Sequence, residues 1–245
     1  MKVLRSFPNR YLFSYINEVT SLFSVRYIFI IILPGEKPAF ASQITVKRQL
    51  IEHPRGIVEG TFANGLHYII LPNELPRHDV EVRLVMRVGS LHENDRQKGS
   101  AHFLEHSAFT GTKHFPGHTL IDYFERQGMK FGRDINAFTG FDRTIYWLSL
   151  PMEKTDSHVL DSAFLAVKDW LTAISFDSER VRKECSVIAE ELRGYSTGDD
   201  FYPLKIGKGR YAQRMPLGTE DDIRHIDSAT LQAFHSEWYA PQLAT

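Results

Sequence analysis

The sequence predicts one globular domain in which β-strands alternate with α-helices, and three observations point there. The 245 residues are 42% hydrophobic and 24% charged, an ordinary balance for a folded domain and wrong for a disordered or fibrous chain. After Ser42 apolar residues recur with period two in some segments and at three- and four-residue steps in others. No low-complexity tract or solenoid-length repeat interrupts them. Lys plus Arg total 29 against 30 Asp plus Glu, so the net charge of -1 supplies no global attraction for nucleic acid or anionic lipid, and neither is expected as a partner. The single cysteine, Cys185, cannot close an intramolecular disulfide, and a chain this long can bury a core without one.

At the N-terminus, Tyr27 to Leu33 is an apolar run of seven, preceded by Lys2, Arg5, Arg10 and Arg26 and followed by Ala39-Phe40-Ala41. A basic start, an apolar stretch and an A-x-A site predict a secretory signal over residues 1–41, cleaved before Ser42, with the domain occupying 42–245. That places the mature chain in the periplasm or outside the cell; without the signal it would be cytoplasmic. The run is far short of the roughly 20 apolar residues needed to span a bilayer.

Thr61 to Leu71 carries Ala63-Asn64-Gly65 between two extended runs, and Asn-Gly accepts the positive φ of a hairpin turn. Val80 to Val88 alternates apolar and polar residues like a half-buried strand. Gly99 to Phe109 and Leu120 to Arg126 read as helices, the second closed by Gly128. Lys130 to Thr139 and Thr144 to Leu150 read as strands, and Pro151 ends the latter. Leu160, Phe164, Val167, Leu171 and Ile174 define an amphipathic helix over Asp156 to Ile174. Asp177-Ser178 supplies the N-cap of the next helix, which should run to Arg193 and close at Gly194. After a looser Gly-, Lys- and Tyr-rich stretch, a last helix is expected at about Ser228 to Trp238.

His102-Phe103-Leu104-Glu105-His106 sets two imidazoles four residues apart, about 40° apart on one helix face, so both can bind one metal ion. Glu105 lies about 60° to one side of His102, where it can reach a metal-bound water and act as general base without being a ligand. H-x-x-E-H is the inverted zinc-peptidase motif, and two His plus one carboxylate leave an open zinc position for water. A third ligand is therefore required. On the helix from Ser178 to Arg193, Val181, Cys185, Ile188 and Leu192 form the buried stripe. Relative to Val181, Glu184 falls at about 60° and Glu191 at about 80°, whereas Glu190 falls about 180° away and should face solvent. One of Glu184 and Glu191 can bind metal while the other supports the site, and spacing alone does not choose between them.

These residues resemble the inverzincin metallopeptidases of the pitrilysin and insulinase type, which include mitochondrial processing peptidase. The resemblance covers about Gly56 to Thr245 in four ordered blocks: Gly99 to His106 with Phe109 to Thr112; Gly132 to Thr139 continuing into Asp142 to Tyr146; Val187 to Glu191; and Arg214 to Thr219 with Phe234 and Trp238 to Pro241. It implies an α+β domain with a mixed β-sheet flanked by helices. It also implies Glu191 as the third zinc ligand with one Zn2+ per chain, Glu184 as its support, and peptide bound as an added strand along Asn136, Ala137, Phe138 and Thr139. The implied activity is zinc-dependent endoproteolysis of peptides or unfolded proteins, with Glu105 working on a zinc-activated water. Family enzymes join this domain to further related domains, so the chain is expected to be the zinc-bearing N-terminal portion and to act with a second homologous half or subunit. The alternatives are a non-catalytic peptide-binding or scaffold subunit, and a zinc-binding fragment inactive without its partner half.

Overall fold

In the computed structural model, which describes residues 56–73, 79–153, 155, 158–196, 207 and 209–245, the first element is a hairpin. Strands β1 (Val58–Thr61) and β2 (His67–Ile70) pair antiparallel, with Val58 opposite Ile70. Gly65 takes φ +87° at the turn and Asn64 Oδ1 accepts the Leu66 N–H, which is the chemistry the Asn-Gly pair predicts. The expected export signal, residues 1–41, lies outside the described residues.

The second sheet has the order β3-β5-β4, with β3 at Asp79–Met86, β4 at Ile135–Thr139 and β5 at Thr144–Pro151. Its register puts Met86 opposite Thr144 and Ile135 opposite Leu148. Every second residue of β5, from Thr144 through Tyr146 and Leu148 to Leu150, is buried, because alternate side chains of a strand share one face. A tight connection, closed by the Gly140 N–H to the Arg143 carbonyl, joins β4 to β5 and leaves them only the antiparallel direction. The α+β class is thus as the sequence predicts, but the described ladders are antiparallel where a mixed sheet was expected; a parallel contact occurs at the Phe131–Ile135 bridge. On the far flank, Leu243–Thr245 lies antiparallel to the end of β3, the Val85 N–H donating to the Thr245 carbonyl.

Seven helices are described: α1 (Ser100–Thr110), α2 (Thr119–Arg126), α3 (Val159–Thr172), α4 (Ser178–Ser196), α5 (Arg210–Gln213), α6 (Glu220–His225) and α7 (Ser228–Trp238). Helix α3 covers β3 and β5, and α1 packs against β4, β5, α4 and α7. The main core gathers Leu84, Leu104, Phe124, Tyr146, Leu148 and Trp170; a second gathers Phe103, Val181, Ile188, Ile223 and Leu231. Leu104 and Phe103 are successive residues of α1, so this helix is wedged between the two cores and cannot rotate without emptying one of them. None of the described helices is long and apolar enough to cross a membrane.

Several boundaries differ from the sequence expectation, among them the end of the strand expected to reach Val88, which stops at Met86. The strand predicted from Lys130 begins at Ile135, because Gly132 adopts φ +83° and the Asp134 carboxylate accepts the Lys130 N–H, folding 130–134 into a turn. The third long helix begins at Val159, and Asp156, its predicted start, lies outside the described residues. Gly194 does not close α4, which runs on to Ser196.

Candidate metal centre

Helix α4 starts where Asp177 caps it, the Asp177 Oδ1 accepting the Arg180 N–H at 3.0 Å. Val181 and Ile188 enter the second core with Cys185 and Leu192 packed beside them, which turns one ridge of α4 toward α1. Arg193 bridges Glu190 on that helix to Glu220 on α6. Glu190 therefore points to solvent, with 72% of its side chain exposed, while Glu184 and Glu191 face α1.

The metal-capable atoms of His102, His106 and Glu191 all lie within 4.8 Å of one another. His106 Nε2 is 3.3 Å and His102 Nε2 3.7 Å from Glu191 Oε2, and the two imidazole centroids are 4.7 Å apart. A tetrahedron of zinc bonds of about 2.0–2.1 Å has edges of about 3.3 Å, and the two nitrogen-to-oxygen distances are close to that edge, so the donor set suits zinc after a small closing of the trio. Glu184 stands behind the trio, its Oε1 2.7 Å from His106 Nδ1, which fixes that ring with Nε2 directed at Glu191. His102 Nδ1 is buried and has no hydrogen-bond partner among the described residues.

The electrostatics follow from burial and charge. Burial, reinforced by the neighbouring His106, pushes the His102 imidazole down to about 4, against the pull of Glu191 and Glu184. Burial pushes His106 down as well, but hydrogen bonds to Glu184 and Glu191 outweigh it and raise the ring to about 9. The His106 hydrogen bond holds the Glu191 carboxyl below its ordinary range. Burial raises the Glu105 carboxyl, and the Thr139 hydroxyl, which donates to Glu105 Oε2, opposes that rise.

Of the four residues expected to hold peptide, all lie on β4, an edge strand of its sheet among the described residues. With Gly140 and Arg143 closing the hairpin, antiparallel alternation turns the backbone groups of Ala137 and Thr139 outward. The Ala137 N–H is taken by the Asn136 side chain, and its carbonyl and the Thr139 backbone make no backbone hydrogen bond outward among the described residues. Phe138 is 54% exposed beside that edge. The Thr139 side chain is already engaged by Glu105, a link across 34 residues that no local pattern in the sequence signals.

Sequence reasoning also missed two buried carboxylates. Asp169, on α3, accepts the Thr112 hydroxyl, the His114 N–H and the His114 ring, and so ties the loop after α1 to the helix covering the sheet. Glu93, 2% exposed, accepts the Gly99 and Ala101 N–H groups at the start of α1. A Glu a few residues ahead of a helix without a capping side chain was the available clue.

The family model for insulinase, peptidase family M16, matches residues 68–201. A probable zinc protease PqqL from Haemophilus influenzae is 38% identical over 190 residues, covering 76% of this chain and 20% of that protein. The probable zinc protease PqqL from Escherichia coli is 33% identical over 228 residues, 91% of this chain and 23% of the relative. The crystal structure of the periplasmic protease PqqL from Escherichia coli superposes with a TM-score of 0.74 at 35% identity, covering 80% of this chain and 22% of that one. The chain thus spans about a fifth of the length of these relatives.

Proposed function

The chain belongs to the insulinase family, peptidase family M16, whose relatives here are named zinc proteases, and from that premise we propose that it is the zinc-binding portion of a metalloendopeptidase. The observation that carries this reading is the convergence of His102, His106 and Glu191 on one point, with Glu105 one residue from His106 on the same helix. His102 and His106 would hold zinc through Nε2 and Glu191 through a carboxylate oxygen. Zinc in that position would lower the pKa of a water to about 7 and polarise a scissile carbonyl.

Glu105 then takes the water proton on its carboxylate and delivers it to the nitrogen of the leaving amine. Glu184 keeps the His106 ring oriented through Nδ1. A peptide or unfolded protein pairs with the outer edge of β4, its backbone meeting the Ala137 carbonyl and the Thr139 backbone while Phe138 and Asn136 contact its side chains. Because the chain spans about a fifth of its relatives, a second homologous half would complete the grip on substrate. The predicted export signal and the description of the Escherichia coli relative as periplasmic support a periplasmic location.

The test is cleavage of a quenched fluorescent peptide by the zinc-loaded protein and its Glu105→Gln variant. Hydrolysis should disappear in the variant with zinc retained; undiminished turnover would sink the assignment of Glu105.

A further inference from the structure

The two histidines of the centre are held in different ways. The His106 ring is fixed from behind by Glu184, whereas His102 Nδ1, buried among the described residues, has no such partner. His102 is also the third residue of α1, inside the first turn, where N–H groups lack the intrahelical acceptors available further along. The residue at the helix cap, Gly99, sits at φ +84° and has no side chain to cap with, and the Ser100 hydroxyl, also buried, makes no hydrogen bond among the described residues. Packing of Phe103 and Leu104 holds the helix as a whole, and what further fixes its first turn around His102 is contact to the backbone.

Glu93 is the anchor. It follows a short 3-10 helix at Ser90–His92. Its Oε2 accepts the Gly99 N–H at 3.0 Å and its Oε1 accepts the Ala101 N–H at 2.9 Å, the second bond falling one residue before His102. Glu93 is itself held: Arg214 donates through Nε to its carbonyl at 2.9 Å and through Nη2 to Asp95 at 2.7 Å, and Ser90 Oγ donates to the Arg214 carbonyl. We propose that Glu93 is a positioning residue for the metal centre, holding the first turn of α1 so that His102 Nε2 faces Glu191.

This rests on the reading of His102, His106 and Glu191 as zinc ligands, and the test separates the two. Zinc affinity of the 245-residue chain is measured by competition with a chromophoric chelator for the unmodified protein, Glu93→Gln and Asp169→Asn, with the visible spectrum of Co2+-loaded protein recorded for each. The glutamine keeps the shape but presents an amide to two N–H donors. Loss of an orienting contact around a metal typically costs 10- to 100-fold in affinity, so Glu93→Gln should weaken zinc binding by about tenfold and alter the Co2+ bands. Asp169→Asn, which disturbs an equally buried carboxylate away from that turn, should stay within about twofold of the unmodified protein by the same reasoning. Unchanged affinity and spectrum in Glu93→Gln, or an equal loss in Asp169→Asn, would overturn the proposal. Failure of the unmodified chain to bind zinc would remove the ligand reading and this inference with it. Should Glu93→Gln not fold, amide exchange on the unmodified protein decides: Gly99 and Ala101 should exchange as slowly as the interior of α1, and rapid exchange there refutes the clamp.

Discussion

Replacing His235 by Phe is expected to flatten the loss of stability on acidification. His235 lies on α7, 8% exposed, stacked on Tyr239 at 4.9 Å and edge-on to Phe176 at 5.7 Å. Its Nε2 is buried without a hydrogen-bond partner among the described residues, so a proton added there would be a buried charge facing no acceptor. Burial pushes the imidazole down to about 4, with the Trp170 and Leu171 backbone pulling only part of the way back. A depressed folded pKa means that the unfolded chain binds the proton first, so stability from this group is present above pH 6.5 and drains away as pH falls through 4. At about 1.4 kcal/mol per pH unit, the shift corresponds to about 3 kcal/mol across that window. Urea unfolding of metal-free protein, followed by far-UV circular dichroism between pH 7 and 4, reads the change. His102 is also depressed to about 4, so the deciding quantity is the difference between the unmodified protein and His235→Phe, not the slope of either. Parallel stability profiles for the two proteins would refute the argument, since they would mean that His235 titrates normally or is protonated at no cost.

Trp170, fully buried, stacks on Tyr146 and donates its indole N–H to the Ala108 carbonyl near the end of α1; Trp170→Ala should cost about 3–5 kcal/mol in denaturant unfolding. Glu184→Ala frees the His106 ring and should weaken zinc binding by about 10- to 100-fold in chelator competition. Thr139→Val leaves a half-buried Glu105 carboxylate without its hydroxyl donor, and in a cleavage-competent form of the protein kcat should fall by at least about tenfold with KM little changed. Thr139→Ser should restore most of that rate because the donor returns.

What was legible in the sequence was whatever depends on local periodicity and spacing. Residues Ser228–Trp238 form a helix with the predicted ends, and Asp177 caps α4 as its position suggests. The projection of α4 separated Glu190 from Glu184 and Glu191 because a single buried stripe fixes the azimuth of every other residue on a helix. Misreadings arose where backbone conformation or distant partners decide. A Gly at φ +83° and a carboxylate reaching back four residues turned 130–134 away from the strand. Helix α6 is announced by Thr219 and Asp222, which form a reciprocal cap, but its six residues leave too little periodicity to stand out. Asp169 and the Thr139 hydroxyl matter through contacts made across the fold, which have no local signature, whereas Glu93 is marked only by its place ahead of a helix that lacks a capping side chain.

The most direct test of the centre is zinc content per chain, measured on purified protein for the unmodified sequence, His106→Ala, Glu191→Gln and Glu190→Gln. Glu190 and Glu191 are neighbours in sequence, but Glu190 faces solvent beside Arg193 while Glu191 faces the two histidines. One zinc per chain in the unmodified protein and in Glu190→Gln, with loss of zinc in His106→Ala and Glu191→Gln, is the expected result. No zinc in the unmodified protein, or loss in Glu190→Gln with retention in Glu191→Gln, would contradict it.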